Sequence, residues 1–159
     1  MRVFNKYLLC AILPSIALAL ALVPQRAASG SPQNPGADPV PAYHARPPEG
    51  PLPPTMSPGL FTDPVIRNAY AAAARVKKVL YQQPCYCYCD RSQGHGSLLD
   101  CFANKHGSEC ETCILEALYT YEQSRKGKTP AQIREGIESG DWRSVDLFKY
   151  QKPIHVPAK

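Results

Sequence analysis

Six of the chain's seven cysteines, Cys85, Cys87, Cys89, Cys101, Cys110 and Cys113, fall between residues 85 and 113. The first three alternate with tyrosines in the run PCYCYCD, residues 84–90. No other feature restricts the fold as strongly, because thiols this dense must be paired, metal-bound or reactive. On an extended strand the three thiols face one side, and Tyr86 and Tyr88 face the other. At about 3.3 Å per residue, Cys85 and Cys89 would stand about 13 Å apart. Thiolates sharing one zinc lie about 2.3 Å from the ion, hence less than about 5 Å from one another. A straight strand cannot bring all three to one ion. Either the segment curls, or its thiols divide between two sites.

The rest of the chain limits how much core can support this cluster. Residues 1–29 have the order of a secretory signal. Arg2 and Lys6 come first, then the apolar run Tyr7 to Val23, then Ala27, Ala28 and Ser29. Cleavage near Ser29 or Gly30, or at Ala21, would release the chain. The run is also about long enough to stay as an anchor, since roughly 17 residues is the lower limit for a span. Cys10 follows Leu9 at the start of the apolar run, so it reads as an incidental small residue and not as a lipid-attachment site. The expected location is periplasmic or extracellular, with membrane contact only through the N-terminal segment if it is retained. Disulfides persist in such compartments.

Residues 30–60 hold ten prolines between Ser31 and Leu60. Proline has no amide donor and disfavours helix in the residue before it. The stretch therefore reads as a disordered, extended spacer, and His44 within it as a solvated linker histidine. That leaves a globular part over residues 61–150 and an irregular tail over 151–159. A domain of this size gains much from cross-links or metal. The formal charge of +5 overstates its basicity. Removing Arg2, Lys6 and Arg26 from the 18 Lys/Arg leaves 15 against 13 Asp/Glu. That balance argues against nucleic acid as a partner.

The globular part reads as mainly α, a small cysteine-rich domain of about three helices. Asp63-Pro64 is a strong helix start. Val65, Ile66, Ala69, Tyr70, Ala73, Val76, Val79 and Leu80 then form an apolar stripe, and Pro84 stops the helix before the cysteines. A second helix is expected from Ser108 or Glu109 to about Lys126, with Cys110 and Cys113 in its first turn and Gly127 at its C-cap. Thr129-Pro130-Ala131-Gln132 matches a capping box opening a third helix that ends near Ser139 and Gly140. Trp142, Val145, Leu147 and Phe148 are expected to pack back onto the helices. The stretch RSQGHGSLLDCF reads as a loop in which Leu98, Leu99 and Phe102 bury and turn Cys101 inward.

Thiolates are soft ligands that select zinc or Cu(I) over magnesium or calcium. His95, flanked by Gly94 and Gly96, is the better histidine candidate; His106, before Gly107, reads as a solvated turn residue. Asp90, Asp100 and Glu109 add oxygen donors. The candidate metal ligands are thus Cys85, Cys87, Cys89, Cys101, Cys110, Cys113 and His95, with zinc or copper as the implied ion. A helix N-terminus stabilises a thiolate, so Cys110-x-x-Cys113 also suits thiol–disulfide exchange with a redox partner protein. Three structural disulfides, with fifteen connectivities, remain a third reading. No serine or carboxylate pair marks a hydrolase, Ile114 stands where haem attachment requires histidine, and the strand–helix alternation of a thioredoxin fold is missing.

The string Pro84-Cys85-Tyr86-Cys87-Tyr88-Cys89 is similar to the PCYCGC motif of a family of bacterial exported proteins, often lipoproteins, also described as the CYCXC family. Gly94-His95, Ser97-Leu98, Cys101-Phe102, Cys110-x-x-Cys113, Lys126-Gly127 and Gln132-Ile133-Arg134 follow the same pattern, so that the resemblance covers roughly Ala69 to Trp142. It implies an exported location. Selenocysteine at a motif position in some relatives implies redox or soft-metal chemistry at Cys85, Cys87 and Cys89. The chain departs from the pattern in having Tyr88 in place of glycine and no lipobox.

Overall fold

The computed structural model describes residues 39–154. The expected export segment, Cys10, residues 30–38 of the spacer and residues 155–159 of the tail lie outside them. Six helices form, and no strand among the described residues: α1 (Pro64–Arg75), α2 (Lys77–Leu80), α3 (Cys89–Gln93), α4 (Leu98–Ala103), α5 (Glu111–Arg125) and α6 (Pro130–Ser139). The chain is mainly α, as the sequence patterning indicates. Among the described residues no helix is long and apolar enough to cross a membrane.

α1 begins where its cap requires. Asp63 Oδ1 accepts the Val65 and Ile66 amides at 2.8 and 3.0 Å, and Pro64 occupies the first turn, where no amide donor is needed. Ala69, Ala72 and Ala73 are fully buried, and such small side chains let α5 pack closely on α1. The single helix expected through Leu80 is broken at Val76 (φ −113°, ψ 27°), from which α2 restarts. α5 is the central element, contacting α1, α2, α4 and α6. It is buried on most of its circumference, from Cys113 and Ile114 through Leu118 to Tyr121. Truncating a buried leucine such as Leu118 to alanine would cost about 2–5 kcal/mol.

α6 starts on its capping box, with the Gln132 amide donating to Thr129 Oγ1 and the Thr129 amide donating back to Gln132 Oε1. Ile133 and Ile137 join Tyr119 and Trp142 in a small second core. Val145 and Leu147 pack on the main core, but Phe148 is 86 % exposed and does not pack back as expected. Asn68, buried in α1, donates to the Tyr150 and Lys152 carbonyls and accepts the Ile154 amide, which pins residues 150–154 to the domain.

From Pro39 onward the proline-rich stretch is a strap on the domain, not the free spacer expected. The Ala42 amide donates to Asp90 Oδ2 (3.1 Å), His44 stacks on Tyr81 (3.8 Å, 5°), and the Met56 amide donates to the Phe102 carbonyl (2.8 Å). Leu52 and Met56 pack on the main core. Proline restricts the unfolded chain, so the strap loses less entropy on docking than an ordinary loop would. Proline abundance excludes helix and central strand; it does not exclude packing.

Candidate metal centre

The curl that the cysteine run needs is a tight turn. The Tyr88 amide donates to the Cys85 carbonyl at 3.0 Å, and Tyr88 adopts φ 58°, ψ 33°. It is the one non-glycine residue in the left-handed region among the described residues. Its ring is held by Arg91, whose guanidinium carbon lies 4.2 Å from the ring centroid, and by an edge contact with Tyr86. The turn folds the three thiols together, so that Cys85, Cys87 and Cys89 Sγ all lie within 4.8 Å of one another. It also launches α3 at Cys89.

Three further elements deliver the remaining sulfurs. α4 turns Cys101 inward, next to Leu98, Leu99 and Phe102, all fully buried. Its start is held by Asp100, whose Oδ2 accepts the Gly96 and Ser97 amides at 2.7 and 3.2 Å. Cys110 is the N-cap of α5 and not part of its first turn, whereas Cys113 lies in that turn and is fully buried. Cys85 Sγ lies 3.3 Å from Cys87 Sγ and 3.4 Å from Cys113 Sγ; Cys89 Sγ lies 3.4 Å from Cys101 Sγ. A disulfide needs about 2.05 Å, so none is formed here. Sulfurs at the corners of a zinc tetrahedron stand about 3.8 Å apart, close to the spacing seen.

His106, read from sequence as a solvated turn residue, stands among the thiols. Its Nε2 lies 3.5 Å from Cys87 Sγ, and with Cys87, Cys110 and Cys113 it forms a four-ligand group within 4.8 Å. His106 sits in the 3-10 turn Lys105–Ser108, whose start is capped by Asn104 Oδ1, which accepts the His106 amide at 2.8 Å. Asn104 is itself fixed through its carbonyl, which accepts the Tyr70 hydroxyl at 2.7 Å. Gly107 allows the turn to lie flat on α4, since a Cβ there would meet the Cys101 carbonyl oxygen at 2.9 Å and the Phe102 ring at 3.1 Å. The spacing His106-x3-Cys110-x2-Cys113 is the sequence signal for this group.

His95, the expected histidine ligand, stands at the edge of the cluster. Its Nδ1 lies 3.4 Å from Cys101 Sγ and its Nε2 lies 3.3 Å from the Asn104 side-chain amide. Taking Nε2 as acceptor from that amide leaves Nδ1–H as donor to Cys101, a hydrogen bond that would steady a thiolate and orient a ligand. The oxygen donors do not join: Asp90 and Asp100 are engaged with backbone amides, and Glu109 is exposed.

The thiols set one another's acidity. Cys87 and Cys101 are held below the usual thiol range by hydrogen bonds from neighbouring thiols, Cys101 contributing most to Cys87 and Cys113 most to Cys101. Cys85, Cys89 and Cys113 are pushed up, in each case chiefly by Cys101, with burial adding to it. Cys113 favours the Cys110 thiolate, but Cys87 and burial outweigh it, so Cys110 is raised as well. The acidification expected at the start of α5 is thus overridden. Glu116, one turn beyond Cys113, was not singled out by the sequence. It is fully buried, Oε1 accepts the Tyr86 amide at 2.9 Å, and Oε2 has no protein partner. Burial pushes its carboxyl up to about 8, so at neutral pH it adds little negative charge beside the sulfurs. A glutamate in an otherwise amphipathic helix reads as surface, and only its i, i+3 relation to Cys113 hints otherwise.

Together these residues define a small helical domain built around a buried, disulfide-free cysteine–histidine cluster whose geometry can hold a metal ion. The family described as "Protein of unknown function with PCYCGC motif" matches residues 58–157, most of the chain, and the chain belongs to that family. No curated protein and no solved structure matches it.

Proposed function

We propose that this chain is an exported protein that binds a soft metal ion, zinc or copper, through clustered thiolates. One observation carries the reading: Cys87, Cys110 and Cys113 Sγ and a His106 ring nitrogen lie within 4.8 Å of one another. Three sulfurs and an imidazole are the donor set of a closed tetrahedral zinc site and are equally acceptable to Cu(I). The ion would replace the thiol protons and neutralise charge that burial otherwise disfavours. Export is supported by the order of the first 29 residues.

The test is the state of the native protein. Purified from the compartment outside the cytoplasm without added reductant, it should carry stoichiometric zinc or copper, and chelation should release six alkylatable thiols. Three intact disulfides and no metal contradict the proposal. A second reading, thiol–disulfide exchange with a redox partner protein, is favoured by Cys87, which is partly exposed and in contact with Cys85. A mixed disulfide trapped on Cys87 in the Cys85→Ser variant would support it.

A further inference from the structure

The cluster offers more sulfur than one ion can use. A tetrahedral ion at Cys87, His106, Cys110 and Cys113 leaves Cys85, Cys89 and Cys101 without a role. Those three are themselves mutually within 4.8 Å, Cys89 and Cys101 at 3.4 Å. Cys113 lies within 4.8 Å of Cys85 and Cys101, Cys87 within 4.8 Å of Cys85 and Cys89, and His106 within 4.8 Å of Cys89 and Cys101, so the two sets adjoin; Cys113 is the fully buried member of the three. The two sets differ in access. Cys87, His106 and Cys110 are partly exposed, whereas Cys85, Cys89 and Cys101 are 3 %, 2 % and 0 % exposed. The strap seals the inner set: Pro41 is fully buried, and the space between it and Cys85 and Cys89 has no room for a water molecule.

We infer that the cluster holds two soft divalent ions: an outer one at Cys87, His106, Cys110 and Cys113, and an inner one at Cys85, Cys89 and Cys101, with Cys113 as the bridge. The inference rests on the thiolate reading above and deepens it. Six thiols lose six protons to solvent as two divalent ions enter, so the loaded cluster retains a net charge of about −2. The inner ion lacks a solvent-supplied ligand and a path for an incoming one, so it exchanges slowly. The outer ion meets solvent along the Cys87–His106–Cys110 edge and exchanges quickly.

Zinc is the probe. The reduced full chain is loaded with excess zinc, freed of unbound ion, and weighed by native mass spectrometry. A chelator is then added while zinc release and thiol alkylation are followed in time. The expected result is two zincs per chain, released in two phases, with Cys87 and Cys110 alkylated during the fast phase and Cys85, Cys89 and Cys101 during the slow one. Cys110→Ser should lose the fast ion alone, and Cys101→Ser the slow one alone. One zinc per chain, with Cys85, Cys89 and Cys101 alkylated at once, overturns the inference and leaves the single-ion reading standing. Two zincs leaving at one rate overturn the division into inner and outer sites. No bound zinc overturns both. The stoichiometry and the alkylation order are read on the unmodified protein, so they stand even if a variant fails to fold.

Discussion

Tyr88 sits in a backbone conformation that a bulky residue rarely adopts, and the convergence of three sulfurs depends on it. For a residue with a Cβ the left-handed region costs about 1–2 kcal/mol. The surrounding contacts offset this: the Arg91 guanidinium over the ring, the Tyr86 edge, and the hydrogen bond from the Tyr88 amide to the Cys85 carbonyl. Glycine, the residue of the family motif at this position, reaches the same conformation without a Cβ penalty. Tyr88→Gly should therefore unfold at higher denaturant concentration than Tyr88→Ala, by about 1 kcal/mol in reduced, metal-free protein. Equal stabilities would mean that the turn is not strained. The sequence shows the substitution plainly, but not that the position is left-handed. Nor does it show that His106 joins Cys87, Cys110 and Cys113 in one ligand group while His95 meets Cys101 from the edge, since both are loop histidines beside glycine.

Helices with explicit start signals were legible because their caps act locally. Asp63-Pro64 and the Thr129–Gln132 box each satisfy amides within three residues, so the pattern and the structure coincide. α3 and α4 were not legible. At five and six residues they are too short to show a helical period, and their ends are set by Tyr88 and by Asp100, not by a run of apolar positions. The strap escaped for another reason: its anchors are single residues, Pro41, Leu52 and Met56, spaced without a period. The turn Lys105–Ser108 can be tested directly. Gly107→Ala places a methyl against the Cys101 carbonyl and the Phe102 ring, so the turn must shift and carry His106 away from Cys87. Overpacking of this kind costs about 1–3 kcal/mol of stability, and disturbing a ligand's support weakens metal affinity about tenfold or more. Competitive titration with a chromophoric zinc chelator checks this. Unchanged affinity would remove His106 from the ligand set.

Taken as a whole, the domain invests its core in positioning sulfur. α1 and α5 form the scaffold, and Tyr70 ties that scaffold, through the Asn104 carbonyl, to the turn that bears His106. The cysteines were clearly the centre of interest in the sequence; their division into a sealed set and an accessible set was not, because it depends on the strap and on which face of α5 is covered. The central claim is that this convergence exists to ligate a soft ion, and X-ray absorption at the metal edge of the zinc-loaded protein addresses it most directly. The account predicts an environment dominated by sulfur at about 2.3 Å, with a minor imidazole nitrogen contribution at about 2.0–2.1 Å. An environment of oxygen and nitrogen alone, with all six thiols still free to react, would contradict it.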